Sequence, residues 1–195
     1  MDLDLRTALE PVRGLPVPWY VAGGWAIDLF VDRVTRDHHD VDILVARDDQ
    51  GAVFDHFSDR TLFKVIPHPC GRVGQGTLVA WDGRWLKLPI HQVFADDAAG
   101  NRIETLFGEI DGGIWRYRRN PKVKRRLADA VLESKDGIAF LAPEIVLLFK
   151  APLMREWDES DFATALPLMT SEQRKWLANA LRRSHRSHPW LRQLS

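Results

Sequence analysis

GGWAIDLFVDRVTRDHHDVDILV, residues 23–45, is the stretch that decides how the chain is read. Just before it, WYVA at residues 19–22 is a short apolar run that predicts a buried strand, and Gly23 and Gly24 end that strand in a tight turn. Ala26, Ile27, Phe30 and Val31 then recur at helical spacing, which predicts an amphipathic helix. DVDILV at residues 40–45 alternates and is rich in β-branched residues, so the chain returns as a second strand. The 17-residue step from Gly23 to Asp40 leaves room for one helix and brings the second strand back beside the first.

The period of a strand puts Asp40 and Asp42 on one face, roughly 7 Å apart at the backbone, close enough to bracket one divalent ion. Two carboxylates that close repel, and a cation resolves the repulsion. Hard oxygen donors favour magnesium or manganese over zinc. The Gly-Gly turn opens a helix and presents backbone N–H groups with no side chain in the way, an arrangement suited to phosphate.

Outward from this centre, Asp48 and Asp49 are placed to start a helix carrying Val53, Phe54 and Phe57. Residues 62 to 117 read as short strands: LFKVI, TLVAW, RWLKL, IHQVF, RIETLF and IWRYR, with turns at Asp82-Gly83 and at DDAAGN. Beyond Gly137 the pattern becomes helical: Pro143 and Glu144 open one helix through Lys150, and two more are expected at 158–167 and 171–184. The expected fold is therefore α/β (α+β), a mixed sheet flanked by helices. A boundary near residue 136 is expected to separate one domain, residues 1–136, from a helical part, residues 137–195, that closes a cleft over it.

The formal net charge is zero, so whole-molecule electrostatics make no case for nucleic acid or membrane as a partner. Locally, residues 114–128 carry seven basic residues and no acid, and residues 171–195 carry six with only Glu172 opposing them. Both read first as solvated faces. Cys70 is the single cysteine, which excludes an internal disulfide. The opening MDLDLRTALEPVRG has no leader-like apolar run, and residues 138–154 are broken by Pro143, Glu144, Lys150 and Pro152. A cytoplasmic protein without a membrane span is expected.

Residues 23–45 closely resemble the signature of the aminoglycoside and lincosamide nucleotidyltransferases, a branch of the DNA polymerase β-like superfamily. GGWAID, Thr35-Arg36, His38 and the Asp-x-Asp recur in order. PEIVLLFKA followed by REWDESDF, residues 143–151 and 155–162, resembles the superfamily's helical segment more weakly. The resemblance implies transfer of a nucleoside monophosphate from a nucleoside triphosphate, with ATP the expected donor, to a hydroxyl. Carried over, Gly23 and Gly24 would hold the triphosphate, Asp40 and Asp42 the Mg2+ or Mn2+ ions, and Lys150 a phosphate. Arg36 is a further phosphate candidate.

Two departures stand out. Trp25 follows the glycines where many superfamily members have Ser, although the antibiotic-modifying branch shares the Trp. In LKLPIHQ, residues 86–92, Pro89 stands where that branch has its third carboxylate. Glu104 is the expected replacement: alternation in RIETLF sets it with Arg102 and Leu106 on the face opposite Ile103, Thr105 and Phe107. Asp82 is next, its place in a Trp-Asp-Gly turn being explained by turn chemistry alone. A phosphohydrolase and a degenerate nucleotide sensor are the rival functions. His38 or His39, one at most, faces the site. A zinc set of His68, Cys70, His91 and Asp40 matches no closed motif. Trp81, Trp85 and Trp115 are the best-placed stacking platforms, with core packing the default. Asp158 and Asp161 could brace Lys150. The basic C-terminal third argues against a polycationic aminoglycoside, leaving a neutral small molecule such as a lincosamide, or a tRNA or protein hydroxyl, as acceptor; antibiotic resistance enters as a hypothesis.

Overall fold

A computed structural model describes residues 4–38, 40–68 and 76–194. Short helix α1 (Leu5–Leu9) leads to strand β1 (Trp19–Val21), helix α2 (Gly23–Val31), strand β2 (Val41–Ala46) and helix α3 (Gln50–His56). Strands β3 (Thr61–Pro67), β4 (Gly76–Ala80), β5 (Gln92–Asp96), β6 (Arg102–Asp111), β7 (Ile114–Arg116) and β8 (Lys124–Arg126) follow. A single turn of helix, α4 (Leu127–Ala130), then precedes β9 (Val131–Glu133) and β10 (Ala139–Leu141). Three helices end the chain: α5 (Pro143–Lys150), α6 (Glu156–Ala165) and α7 (Ser171–Ser184).

The strands form one mixed sheet in the order β4-β3-β5-β6-β2-β1-β10-β9, with β7 and β8 continuing from β6. Pairing is parallel between β2 and β6 and between β1 and β10, and antiparallel elsewhere. The parallel β2–β6 pair matters most, because its register sets Asp42 directly beside Glu104. Helix α5 is apolar on nearly every side, with Ile145, Leu147 and Leu148 fully buried, as expected of a helix enclosed by others. It packs on α2, α6 and α7. Among the described residues no helix is long and apolar enough to cross a membrane.

Three expectations need correction. RWLKL is not a strand: residues 81–90 form a loop that includes a cis Leu88–Pro89 peptide bond. Its backbone is satisfied by side chains instead of a ladder, since Arg47 Nη1 donates to the carbonyls of Leu86 (3.2 Å) and Ile90 (3.0 Å), and Leu86 N–H donates to Gln50 Oε1 at 2.6 Å. The region after Gly137 is not wholly helical, because β10 joins the sheet beside β1. Strands β8 and β9 were also missed, each being three residues long and without clear alternation.

Candidate active site

Strand β1 ends where β2 begins, and the chain turns directly into α2 at Gly23, whose φ is +61°. A Cβ at Gly23 would lie 1.8 Å from Asp42 Oδ2, and one at Gly24 would lie 2.1 Å from Arg36 Nη2 and 2.6 Å from His38 Cε1. The space that the two glycines leave is therefore taken by the Asp42 carboxylate and by the Arg36–His38 segment. This is a stricter demand for glycine than an open phosphate turn would make.

Asp28, on the buried face of α2, holds that segment in place. Its Oδ1 accepts from the backbone N–H (3.2 Å) and the hydroxyl of Thr35, and its Oδ2 accepts from His38 Nε2 at 2.5 Å. His38 in turn stacks on Trp25, with ring centroids 4.1 Å apart. Trp25 thus packs against the segment that leads into Asp40 and β2, a role that a small Ser side chain could not fill. Asp28 had no role assigned from the sequence, where it stands only as the last residue of GGWAID. His39 and Cys70 lie outside the described residues.

Asp40, Asp42 and Glu104 each bring an oxygen to within 4.8 Å of the other two, and among the described residues they form the one group of three or more potential metal ligands. Asp40 is exposed, whereas Asp42 and Glu104 lie lower in the cleft. Gln92 Nε2 on β5 donates to Glu104 Oε1 at 2.6 Å, so the neighbouring strand contributes an amide at this point and Pro89 stays in the loop. Burial, then the charge of Asp40, push Asp42 up to about 6. Burial, then Asp42, push Glu104 well above the ordinary carboxylate range. Two carboxyls raised together are what a cluster of like charges produces, and a cation among them would relieve the repulsion. Three hard oxygen donors at this spacing fit Mg2+ or Mn2+.

Asp82 stands apart, in an exposed turn with Lys64 and Arg84. His68 bonds Thr77 (3.0 Å) and His91 bonds the Pro89 carbonyl (2.8 Å), so neither joins Asp40 in a zinc set. Trp81 is buried and bonds the Arg84 carbonyl, Trp85 is exposed, and Trp115 is fully buried against the cleft.

The carboxylates open into a cleft of about 590 Å3 between the sheet and helices α5 and α6. Arg36 and Lys150 both line it, and both pair with Asp161: Arg36 Nε at 3.1 Å and Lys150 Nζ at 2.7 Å. Lys150 also lies 3.3 Å from Asp158, which accepts from Arg155 at 2.8 Å. Three cations thus share two buried acids, leaving a net positive rim beside the carboxylates. Lys150 and Arg155 both act to lower Asp42, so this rim faces the cluster.

The profile of the aminoglycoside-2''-adenylyltransferase family matches residues 4–131. No curated protein matches the chain in sequence. Among solved structures, the antibiotic-resistance factor ANT(2'')-Ia in solution superposes with a TM-score of 0.59 at 14% identity, over 94% of this chain and 91% of that one. ANT(2'')-Ia in complex with adenylyl-2''-tobramycin gives 0.57 at 14% identity, over 92% and 95%. The lincosamide antibiotic adenylyltransferase LnuA, lincomycin-bound, gives 0.56 at 17% identity, over 85% and 96%.

Proposed function

The chain belongs to the aminoglycoside-2''-adenylyltransferase family and is a nucleotidyltransferase, and from that premise we propose that it moves AMP from ATP, with Mg2+ or Mn2+, to a hydroxyl of a small molecule. The observation that carries the reading is the three-carboxylate cluster of Asp40, Asp42 and Glu104 beside the glycine-opened helix. Asp40 and Asp42, with Glu104, would hold the cation, which supplies positive charge to the attacking and leaving oxygens of an in-line displacement.

In this reading Gly23 and Gly24 present the N-terminus of α2 to the triphosphate, and Arg36 and Lys150 add a cationic edge from the Asp161 network. Glu104 orients the acceptor hydroxyl and takes its proton as the oxygen bonds to the α-phosphorus and the bond to pyrophosphate breaks. Gln92 fixes the Glu104 carboxyl during that step. The part after residue 136 contributes Lys150 and Asp161 and is proposed to close the cleft over both substrates.

The solved relatives are seen with lincomycin or with an adenylylated tobramycin, which supports a small-molecule acceptor of the antibiotic kind; nothing in the comparisons favours tRNA or protein. The sensor reading rested on Pro89, and Glu104 supplies a third carboxylate without it. The test is incubation with α-labelled ATP, GTP, CTP and UTP against a panel of antibiotics. Label on an acceptor together with free pyrophosphate is expected. Release of nucleotide products without any acceptor would instead mark a phosphohydrolase.

A further inference from the structure

Of the seven basic residues in the stretch 114–128, Arg125 pairs with buried Glu144 (3.0 Å) and Arg126 with Asp129 (2.7 Å). Arg116, Arg118 and Arg119 instead line the cleft. Arg119 donates to the Tyr117 hydroxyl and the Phe149 carbonyl, both at 3.2 Å, so no acid neutralises it. Among the described residues, neither the guanidinium of Arg116 nor that of Arg118 makes a hydrogen bond or ion pair, although the charge of Glu109, which also lines the cleft, acts on Arg118. Arg118 lies over the Phe149 ring at 5.8 Å. Glu109, opposite Arg116 in the β6–β7 register, is already bonded to Arg47 at 2.6 Å.

These cations crowd one another. Burial, then Arg119, push Arg118 down to about 10, and burial, then Arg118, push neighbouring His91 down to about 4. The same cleft is lined by apolar side chains, Leu44, Leu106, Phe107, Trp115, Val146 and Phe149. Glu104 and Glu109 are five residues apart on β6, about 17 Å at strand rise. Gly23 and Gly24 with Arg36 and Lys150 already offer the triphosphate its cationic edge beside the carboxylates, which leaves the arginine end of the cleft to the acceptor.

We propose that the acceptor is an anionic small molecule, an apolar or aromatic body bearing a carboxylate or a phosphate that Arg116 and Arg118 receive while its hydroxyl reaches Glu104. This rests on the nucleotidyltransferase reading above and narrows its substrate class. A polycationic aminoglycoside is repelled at this end of the cleft, although the family takes its name from such substrates. Guanidinium groups suit planar and tetrahedral oxyanions alike through paired N–H donors.

The test measures binding to the protein loaded with magnesium and α,β-methylene-ATP, which cannot transfer AMP. The probes are four para-substituted benzyl alcohols carrying a carboxylate, a phosphate, a carboxamide or an aminomethyl group. The two anions are expected to bind about tenfold or more tighter than the carboxamide, with the amine weakest; their order tells carboxylate from phosphate. Arg118→Gln and, independently, Arg116→Gln should abolish the anion preference and leave α,β-methylene-ATP affinity unchanged, with melting temperature confirming the fold. Equal binding of all four probes, or preference for the amine, overturns the proposal. So does loss of nucleotide affinity in both arginine variants, which would assign the arginines to the donor. Failure of the wild type to bind the nucleotide would sink the transferase reading instead, and the probe series on the free protein would still decide the anion preference.

Discussion

In the metal-free protein at pH 8, Asp42 is ionised among Asp40 and Glu104, and Asp42→Asn removes that charge while keeping the shape of the side chain. Raised from 3.8 to about 6, Asp42 binds its proton more tightly in the folded state than in the unfolded one. Below the unfolded value both states are protonated and nothing is lost. As pH rises from there through the folded value, stability falls, and the full penalty applies above it. Two pKa steps correspond to about 3 kcal/mol at most, and coupling to Glu104 makes about 1–3 kcal/mol the working range.

For a chain of this size each kcal/mol moves the melting temperature by about 2–4 °C. Scanning calorimetry in EDTA should therefore show Asp42→Asn melting several degrees above wild type at pH 8, with the gap closing towards pH 4. Magnesium should raise the wild-type melting point and leave that of the variant nearly unchanged. A variant less stable than wild type at pH 8, or a gap independent of pH, would refute the picture of three carboxylates held together against their repulsion.

Glu104→Gln should lower turnover by about 10²-fold or more with little change in nucleotide affinity, measured by steady-state kinetics and calorimetry. Gly24→Ala should reduce activity far more than stability, because the new methyl group displaces Arg36 and His38, whose contacts set the approach to Asp40; kinetics alongside thermal melting separates the two effects. Asp28→Asn should lose about 1–3 kcal/mol in denaturant titrations, since one carboxylate accepts from both Thr35 and His38. Lys150→Ala should weaken nucleoside triphosphate binding more than nucleoside binding, and it should also destabilise the protein by about 1–3 kcal/mol, because Asp158 and Asp161 lose one partner each while keeping Arg155 and Arg36. Calorimetry on both ligands checks the first effect, and equal losses would make Lys150 purely structural.

The centre of the fold was legible because its signals are local. A strand, two glycines, a helix of regular apolar spacing and an alternating acidic strand occupy consecutive residues, and their order fixes the β1–α2–β2 unit. Glu104 was also legible, as a lone carboxylate whose alternation sets it on the face away from Ile103 and Phe107, although its place directly beside Asp42 depends on a parallel pairing across about 60 residues. Pro89 left open whether another acid takes that place, and in the structure the carboxylate of Glu104, on the adjacent strand β6, lies with Asp40 and Asp42. The loop at 81–90 could not be read, because the donors and acceptors that replace its strand partners are Arg47 and Gln50, far away in sequence. Strand β10 was invisible for a related reason, being three residues long and ordered by its pairing with β1. Of the basic run at 114–128, the solvated-face reading holds for exposed Lys122 and Lys124 but not for the arginines of the cleft.

The central claim is that Asp40, Asp42 and Glu104 act as one cation-binding unit for nucleotide transfer, and Mn2+ titration followed by electron paramagnetic resonance tests it most directly. In the presence of α,β-methylene-ATP the wild type should take up Mn2+ tightly, and Asp40→Asn, Asp42→Asn and Glu104→Gln should each lower that affinity by about tenfold or more while remaining folded. Undiminished Mn2+ binding in all three variants would contradict the account.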